Sequence, residues 1–403
     1  MLKGKTVVLG VTGSIAAYKI ANLASMLVKS HCDVHVIMTK NATNFINPIT
    51  FETLTNHKCL VDTFDRDFEF HVEHVSLAQK ADVMMIAPAS ANVIGKVAGG
   101  IADDMLTTTI MACRGAVIFS PAMNVNMYHN PILQNNLNIL KNYGYEIVEP
   151  AVGYLACGDT GAGKMPEPET LYQYILKTIA CEKDMAGLKV MVTAGPTREE
   201  LDPVRYLTNH SSGKMGYAIA KMAMLRGAEV TLISGPTALN SVPFVDMVPV
   251  ISAQDMFLAV KERLEEQDIL IKAAAVADYR PAQVSGEKMK KSDKELNIPL
   301  ERTQDILAYV ADHRREDQTI CGFSMETEHM LENSRKKLEK KRLDILAANN
   351  LRDEGAGFGT DTNLLTIITK EEEKALPLLS KEEAADALLD CIMERRRKTL
   401  PKR

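Results

Sequence analysis

The first half of the chain carries three side chains able to move protons or grip a carboxylate: His74, Asn124 and Cys157. An imidazole titrates near neutrality and serves as a general base. An amide donates hydrogen bonds to a carboxylate, and a thiol can give up a proton. His74 stands in the polar run Phe70-His71-Val72-Glu73-His74, and Asn124 in Pro121-Ala122-Met123-Asn124. Cys157 opens Cys157-Gly158-Asp159-Thr160-Gly161-Ala162-Gly163-Lys164-Met165, whose small residues suit a mobile flap. His71 and His74 could pair on a metal, but no carboxylate–cysteine ligand set accompanies them. In the second half Arg205 and Asn209 lie close enough in sequence to converge on a charged, planar group. Lys288, Lys337 and Lys341 offer cations for a polyphosphate, the last two on one predicted helix and one face of it. A lone histidine or cysteine is ordinarily packing, and a lysine run ordinarily a solvated face. What these residues mean depends on the elements that place them.

Those elements alternate from the start. Strands are expected at 5–11, 34–38, 82–87, 116–120 and 145–148, with helices at 14–29, 92–97, 105–113, 131–142 and 169–181. The pattern restarts with strands at 188–193, 229–233, 269–274, 319–323, 344–348 and 364–368. Helices are expected between them at 213–226, 253–266, 305–314 and 330–343, and beyond the last strand at 381–397. Short β-branched runs alternating with helical periods predict mostly parallel sheets covered by helices on both faces. The fold class is α/β: two tandem Rossmann-like three-layer domains, at 1–182 and 186–403, split at the polar segment 181–187.

Glycine turns close several strands. Gly10-Val11-Thr12-Gly13-Ser14-Ile15 leads from the first strand into a helix, where small residues and free N–H groups suit a phosphate. Pro88-Ala89-Ser90-Ala91-Asn92 and Pro121-Ala122-Met123-Asn124 also follow strand ends, where open α/β sheets bind ligands. In the second half Ser211-Ser212-Gly213 opens a helix as a second anion seat. Gly213-Lys214 is no P-loop, because Met215 replaces the required Ser/Thr and the upstream glycine is missing.

GVTGSIAAYK, the His74 segment, PAMNVNM and ACGDTGAGKM, in that order over residues 1–180, resemble the flavin-dependent cysteine decarboxylases, the phosphopantothenoylcysteine decarboxylases among them. The resemblance implies a flavodoxin-like fold and FMN held by Gly13, Ser14, Ile15, Thr39, Ser90, Ala91, Asn92 and Ala122. It also implies His74 as base, Asn124 as carboxylate ligand and Cys157 as proton donor. Tyr128 stands where many relatives have Trp, and Lys164 where many have Arg, so the forked grip on an anion is lost at 164. TAGPTREELDPVRYLTNHSSGKMG, AAAVADY, KMKK and GF, over about residues 186–370, resemble the phosphopantothenate–cysteine ligases, which bacterial relatives carry behind the decarboxylase. The resemblance implies CTP, with Mg²⁺, held by Ala273, Ala274, Asp278, Lys288, Asp305, Ile306, Phe323, Lys337 and Lys341, with Asn209 and Arg205 on an acyl intermediate. Gln304 stands where relatives often have Pro.

The implied function is a bifunctional enzyme of coenzyme A biosynthesis. The second half joins phosphopantothenate to L-cysteine through an acyl-cytidylate, and the first half decarboxylates the product to phosphopantetheine. An FMN-binding electron carrier, or a regulatory flavoprotein with one inactive half, is the alternative; it would not need His74, Asn124 and Cys157. The metal's ligands stay unassigned. The resemblance further implies a homo-oligomer with trimer and dimer contacts, closing into a dodecamer if both hold.

Composition agrees with small-molecule chemistry. Lys and Arg number 47 against 52 Asp and Glu, so no basic field favours nucleic acid. No apolar run approaches the roughly 18 residues a membrane span needs. Seven scattered cysteines without CxxC spacing argue against a disulfide framework or structural zinc and for a reducing cytoplasm.

Overall fold

A computed structural model describes residues 1–63, 73–154, 158–290, 296–326, 330–350 and 359–399. The chain divides into two compact units, Met1–Cys181 and Glu182–Arg403.

The first unit is built on five parallel strands: β1 (Thr6–Val11), β2 (Asp33–Met38), β3 (Val83–Ala89), β4 (Ala116–Pro121) and β5 (Glu146–Ile147). All six residues of β1 are buried, and so are all seven of β3. Such runs do not alternate, because helices cover both faces of a parallel sheet. The spatial order is β2-β1-β3-β4-β5. This is the flavodoxin-like order, and its direction reverses between β1 and β3. Helices Ala91–Ala98 and Pro131–Asn142 pack Val93, Ile94, Leu133, Leu137 and Leu140 into a core shared with Val8, Ile86 and Phe119. A separate antiparallel hairpin, β6 (Ala151–Tyr154) with β7 (Thr160–Lys164), follows β5. The sequence suggested only a glycine-rich flap there.

In the second unit the strands are β8 (Lys189–Ala194), β9 (Arg198–Asp202), β10 (Arg205–Thr208), β11 (Glu229–Ser234), β12 (Asp246–Pro249), β13 (Ile269–Lys272), β14 (Tyr279–Pro281), β15 (Leu300–Arg302), β16 (Thr319–Glu326), β17 (Ile345–Asn350), β18 (Thr362–Asn363), β19 (Leu365–Ile368), β20 (Glu373–Ala375) and β21 (Leu379–Ser380). The main sheet has eight strands in the order β12-β11-β8-β13-β16-β17-β19-β20. Its first six are parallel and follow the doubly wound Rossmann order, which reverses between β8 and β13. β19 and β20 extend the edge antiparallel. Hairpins β9–β10 and β14–β15 stand outside this sheet. Helix Lys381–Thr399 buries Ala384, Ala385, Leu388, Leu389 and Ile392.

Candidate functional sites at the two strand-order reversals

At the first reversal the turns after β1 and β3 are tied together. The buried Thr12 hydroxyl donates to the Pro88 carbonyl at 2.6 Å and accepts the Ser90 N–H at 2.9 Å. Ser14 caps a short 3₁₀ turn by accepting the Ala16 N–H at 3.3 Å. Ser90 caps Ala91–Ala98 by accepting the Val93 N–H. Both turns therefore present helical N-termini at one place, where their partial positive charge suits an anion.

Hairpin β6–β7 closes the other side. Gly163 adopts φ +140°, and a Cβ there would meet the Met123 carbonyl oxygen at 2.3 Å, so only glycine permits this approach. The Met123 N–H donates to the Gly163 carbonyl at 3.0 Å. Between them lies a cavity of about 460 Å³, lined by Gly13, Ser14, Ile15, Ser90, Ala91, Ala122, Asn124 and Lys164, with the apolar Met123, Met127, Tyr154 and Met165. Asn124 caps Val125–Tyr128 through its carbonyl oxygen, and its amide nitrogen donates to Asp159 at 2.9 Å. Lys19 and Lys164 both pair with Glu167, at 2.7 and 3.7 Å.

A flavin phosphate fits this geometry. Thr39, just beyond β2, donates its N–H to Val11 at 3.0 Å, yet among the described residues its buried hydroxyl has no hydrogen-bond partner. That unsatisfied hydroxyl lies beside the end of β1 but off the cavity lining. The small residues at 13, 14, 90 and 91 leave the backbone open to the phosphate. Thr39, Asn92 and His74 are not on the cavity lining. His74 is half-buried in Glu73–Lys80, and Cys157 lies outside the described residues. His71 does too. Among the described residues the one His/carboxylate group of metal-ligand spacing is Asp33, His35 and His57. Its carboxylate is already engaged by Lys80 at 2.8 Å and by both imidazoles, which stack on each other.

At the second reversal the stretch Ala273–Tyr279 is held by its backbone. The Thr193 hydroxyl accepts the Ala274 N–H at 3.2 Å and the Thr197 hydroxyl accepts the Ala277 N–H at 3.0 Å. Asn209 donates to the Ala275 carbonyl at 2.9 Å, and Thr303 to the Ala277 carbonyl at 2.6 Å. Small side chains are what let four separate elements reach this strand end. Gly213 begins helix Lys214–Leu225 at φ +79°, packed on Gly195 and Thr237 so closely that a Cβ would overlap.

Two cavities open here. One of about 490 Å³ is lined by Asn209, Ser211, Ser212, Gly213, Ala273, Ala274 and Phe323. The other, about 500 Å³, is lined by Asp305, Ile306 and Lys341, with Arg302 and Gln304. Lys272, Val276, Asp278 and Lys337 wall both. Lys337 donates to the Phe323 carbonyl at 2.7 Å, and Lys341 is ion-paired with Asp305. Burial raises the Asp305 carboxyl, but the Lys341 hydrogen bond, the Ala308 N–H and the charges of Lys341 and Lys272 together outweigh it and hold the group below the usual carboxylate range.

The expected convergence of Arg205 with Asn209 is not formed. Arg205 lines neither cavity; its guanidinium grips Asp202 at 2.6 and 3.0 Å and the Met289 carbonyl at 2.6 Å. Asp202 also accepts the N–H groups of Val204, Arg205 and Met289, so the pair fixes the hairpin turn and the chain entering the lysine loop. Arg205 prefers this partner because the Asp202 side chain is fully buried and needs a counter-charge. Lys288 also lines neither cavity. Lys272 was missed from sequence. Its signal was there: one cation ending the apolar run Ile269-Leu270-Ile271, directly before the alanines.

The molecule is thus a flavodoxin-like unit followed by a doubly wound α/β unit, each with a cavity where its strand order reverses. A family model described as Flavoprotein matches residues 1–180, and one described as DNA/pantothenate metabolism flavoprotein C-terminal domain matches residues 185–395. The chain belongs to the family of coenzyme A biosynthesis bifunctional proteins, enzymes with a decarboxylase half and a ligase half. It is 45% identical over 393 residues to coenzyme A biosynthesis bifunctional protein CoaBC of Bacillus subtilis, covering 96% of this chain and 97% of that one. The protein of the same name from Escherichia coli is 42% identical over 397 residues, covering 98% of each. A crystal structure of the C-terminal domain of a protein of that name is 42% identical, spans 54% of this chain and 100% of its own, and has a TM-score of 0.47.

Proposed function

We propose that the second unit joins phosphopantothenate to L-cysteine at the expense of CTP, and that the first unit decarboxylates the product with bound FMN. The observation that carries this is the match of both halves, in one chain and in the same order, to relatives along nearly their full length.

In the first unit FMN supplies a two-electron acceptor for the substrate thiol, so that the carboxylate can leave into a conjugated system and the electrons then return. The chain's own residues orient and shield. The turns at Gly13–Ser14 and Ser90–Ala91 hold the phosphate. Asn124, on the cavity wall, turns its amide to the substrate carboxylate in competition with Asp159. Hairpin β6–β7 excludes water. His74 accepts a proton from the substrate and Cys157 returns one.

In the second unit the phosphopantothenate carboxylate attacks the α-phosphate of CTP, releasing pyrophosphate. The cysteine amine then displaces CMP to form the amide. Lys337 and Lys341 neutralise the phosphates beside Asp278, and Ala273, Ala274, Ile306 and Phe323 shape the nucleotide seat. Lys288, which lines neither cavity here, is assigned to the nucleotide by resemblance alone. Arg205 acts through Asp202 and that loop, as a positioning residue. Mg²⁺ enters with CTP. We place the enzyme in the cytoplasm as a homo-oligomer; among the described residues no helix is long and apolar enough to cross a membrane.

One incubation with phosphopantothenate, cysteine, CTP and Mg²⁺, followed by mass analysis, tests both steps. Phosphopantetheine, CMP and carbon dioxide are expected. Accumulation of the uncleaved cysteine adduct would refute the decarboxylase reading, and absence of both the adduct and phosphopantetheine the ligase reading.

A further inference from the structure

Lys272 ends β13, whose residues Ile269, Leu270 and Ile271 are buried. It lies in register between Thr193 of β8 and Gly322 of β16, at the point where the strand order reverses. Its side chain walls both cavities. Among the described residues no hydrogen bond or ion pair engages its ammonium. The cation at this junction is therefore uncommitted, while Lys337 holds the Phe323 carbonyl and Lys341 holds Asp305. Burial first, then the nearby Lys337, push its pKa down to about 8; Asp278 and Asp305 oppose this and Lys341 adds to it. At neutral pH an appreciable share of Lys272 carries a lone pair.

The ligase reaction needs such a group. A cysteine amine arrives from water as an ammonium, which has no electron pair to give. Resting on the ligase reading above, we propose that Lys272 is the catalytic base that deprotonates the incoming cysteine ammonium. Neutral Lys272 Nζ takes one proton. The freed pair forms the N–C bond to the acyl carbon, and the C–O bond to the cytidylate phosphate breaks. CMP leaves with that pair, and the second amine proton passes to solvent. In this reading the acyl carbon and the α-phosphate meet at the wall the two cavities share. Bound triphosphate, being anionic, keeps Lys272 protonated during cytidylyl transfer to the carboxylate. Departure of pyrophosphate removes that charge and releases the lysine to act as base.

The test uses the full-length enzyme in single turnovers with two readouts: pyrophosphate released from phosphopantothenate and CTP before cysteine is added, and amide formed after it. Lys272→Arg keeps the cation but cannot lose its proton. It should slow amide formation about 100-fold more than pyrophosphate release, within the range general bases contribute. The parent's amide rate should level off above about pH 8, whereas the variant's keeps rising as cysteine loses its own proton. Hydroxylamine, already unprotonated at neutral pH, should be acylated equally well by both. Lys272→Met should behave as the Arg variant does in the cysteine-to-hydroxylamine ratio, and pyrophosphate release reports that the unit is folded. Equal slowing of both steps, or equal loss with cysteine and hydroxylamine, overturns the base and leaves a charge or packing role. A parent enzyme that releases no pyrophosphate overturns the ligase reading itself, and the base with it.

Discussion

At the scale of single residues, the chemistry divides between groups aimed at a cavity and groups that hold others in place. Asn209 belongs to the first kind. Its amide donates to the Ala275 carbonyl beside Ala273 and Ala274 on the cavity wall. Asn209→Asp replaces that donor with a carboxylate facing a carbonyl oxygen, so the bond becomes a repulsion. With Asn209 also on the acyl intermediate, as proposed, amide formation should fall by about 100-fold or more, the size of effect seen when one donor to a developing charge is lost, and acyl-cytidylate should accumulate in a quenched assay. Asp202 is of the second kind. Its carboxyl is held down to about 2, first by the Arg205 hydrogen bond and then by three backbone N–H groups. A carboxyl lowered on folding stabilises above its unfolded pKa of about 4 and loses that contribution as pH falls towards 2. Asp202→Asn should therefore unfold the second unit more easily at pH 7, and its deficit should shrink in acid, as read by melting at several pH values. The sequence set Arg205 beside Asn209, but only Asn209 lines the cavity and Arg205 pairs with Asp202 instead, because motifs do not record which partner a buried carboxylate demands. Lys272 went unread for the opposite reason: one lysine at a strand end looks like an ordinary edge.

At the scale of elements, strands buried on both faces were the legible part. The run 116–120 became Ala116–Pro121, and the helical period at 131–142 became Pro131–Asn142. Both are fixed by hydrophobic pattern and by caps visible in sequence, such as Asn130 ahead of Pro131. The hairpins were not legible. In β9 the run Arg198-Glu199-Glu200 hides the alternation, since Glu199 is buried and satisfied by the Ala253 N–H at 2.9 Å. Hairpin β6–β7 hides it behind glycines, whose role is close approach. Gly163→Ala should expose that role. The added methyl would overlap the Met123 carbonyl and the residue would keep a φ that alanine disfavours. The cost to the first unit should exceed about 1 kcal/mol. Bound flavin should decrease, measured by visible absorbance per chain, while ligase turnover stays at the parent level. A full complement of flavin in the variant would show that the hairpin can move away without loss.

At the scale of the whole molecule, the two units are alike in logic and separate in construction. Each has its own sheet, its own strand-order reversal and its own core: Val8, Ile86 and Phe119 in one, Met191, Leu270 and Ile320 in the other. Among the described residues no strand of either sheet comes from the other unit. Units of 181 and 222 residues are each large enough to bury roughly 70% of the surface their unfolded chains expose, so neither requires the other for a core. The cut therefore falls where no sheet hydrogen bond is lost. Chains 1–181 and 182–403, made separately, should each melt cooperatively. Flavin should stay with the first, and pyrophosphate release from CTP and phosphopantothenate with the second. The mixture should convert phosphopantothenate to phosphopantetheine, but with a lag that lengthens on dilution. The cysteine adduct made by one fragment must then reach the other through solution. The intact chain tests whether fusion matters beyond synthesis. If it passes its intermediate through solution as well, its lag should match that of the mixture at equal concentrations of sites. A shorter lag in the intact chain would mean that joining the units raises the local concentration of the adduct at the flavin site. Failure of either fragment to melt cooperatively would show instead that the units depend on one another for folding.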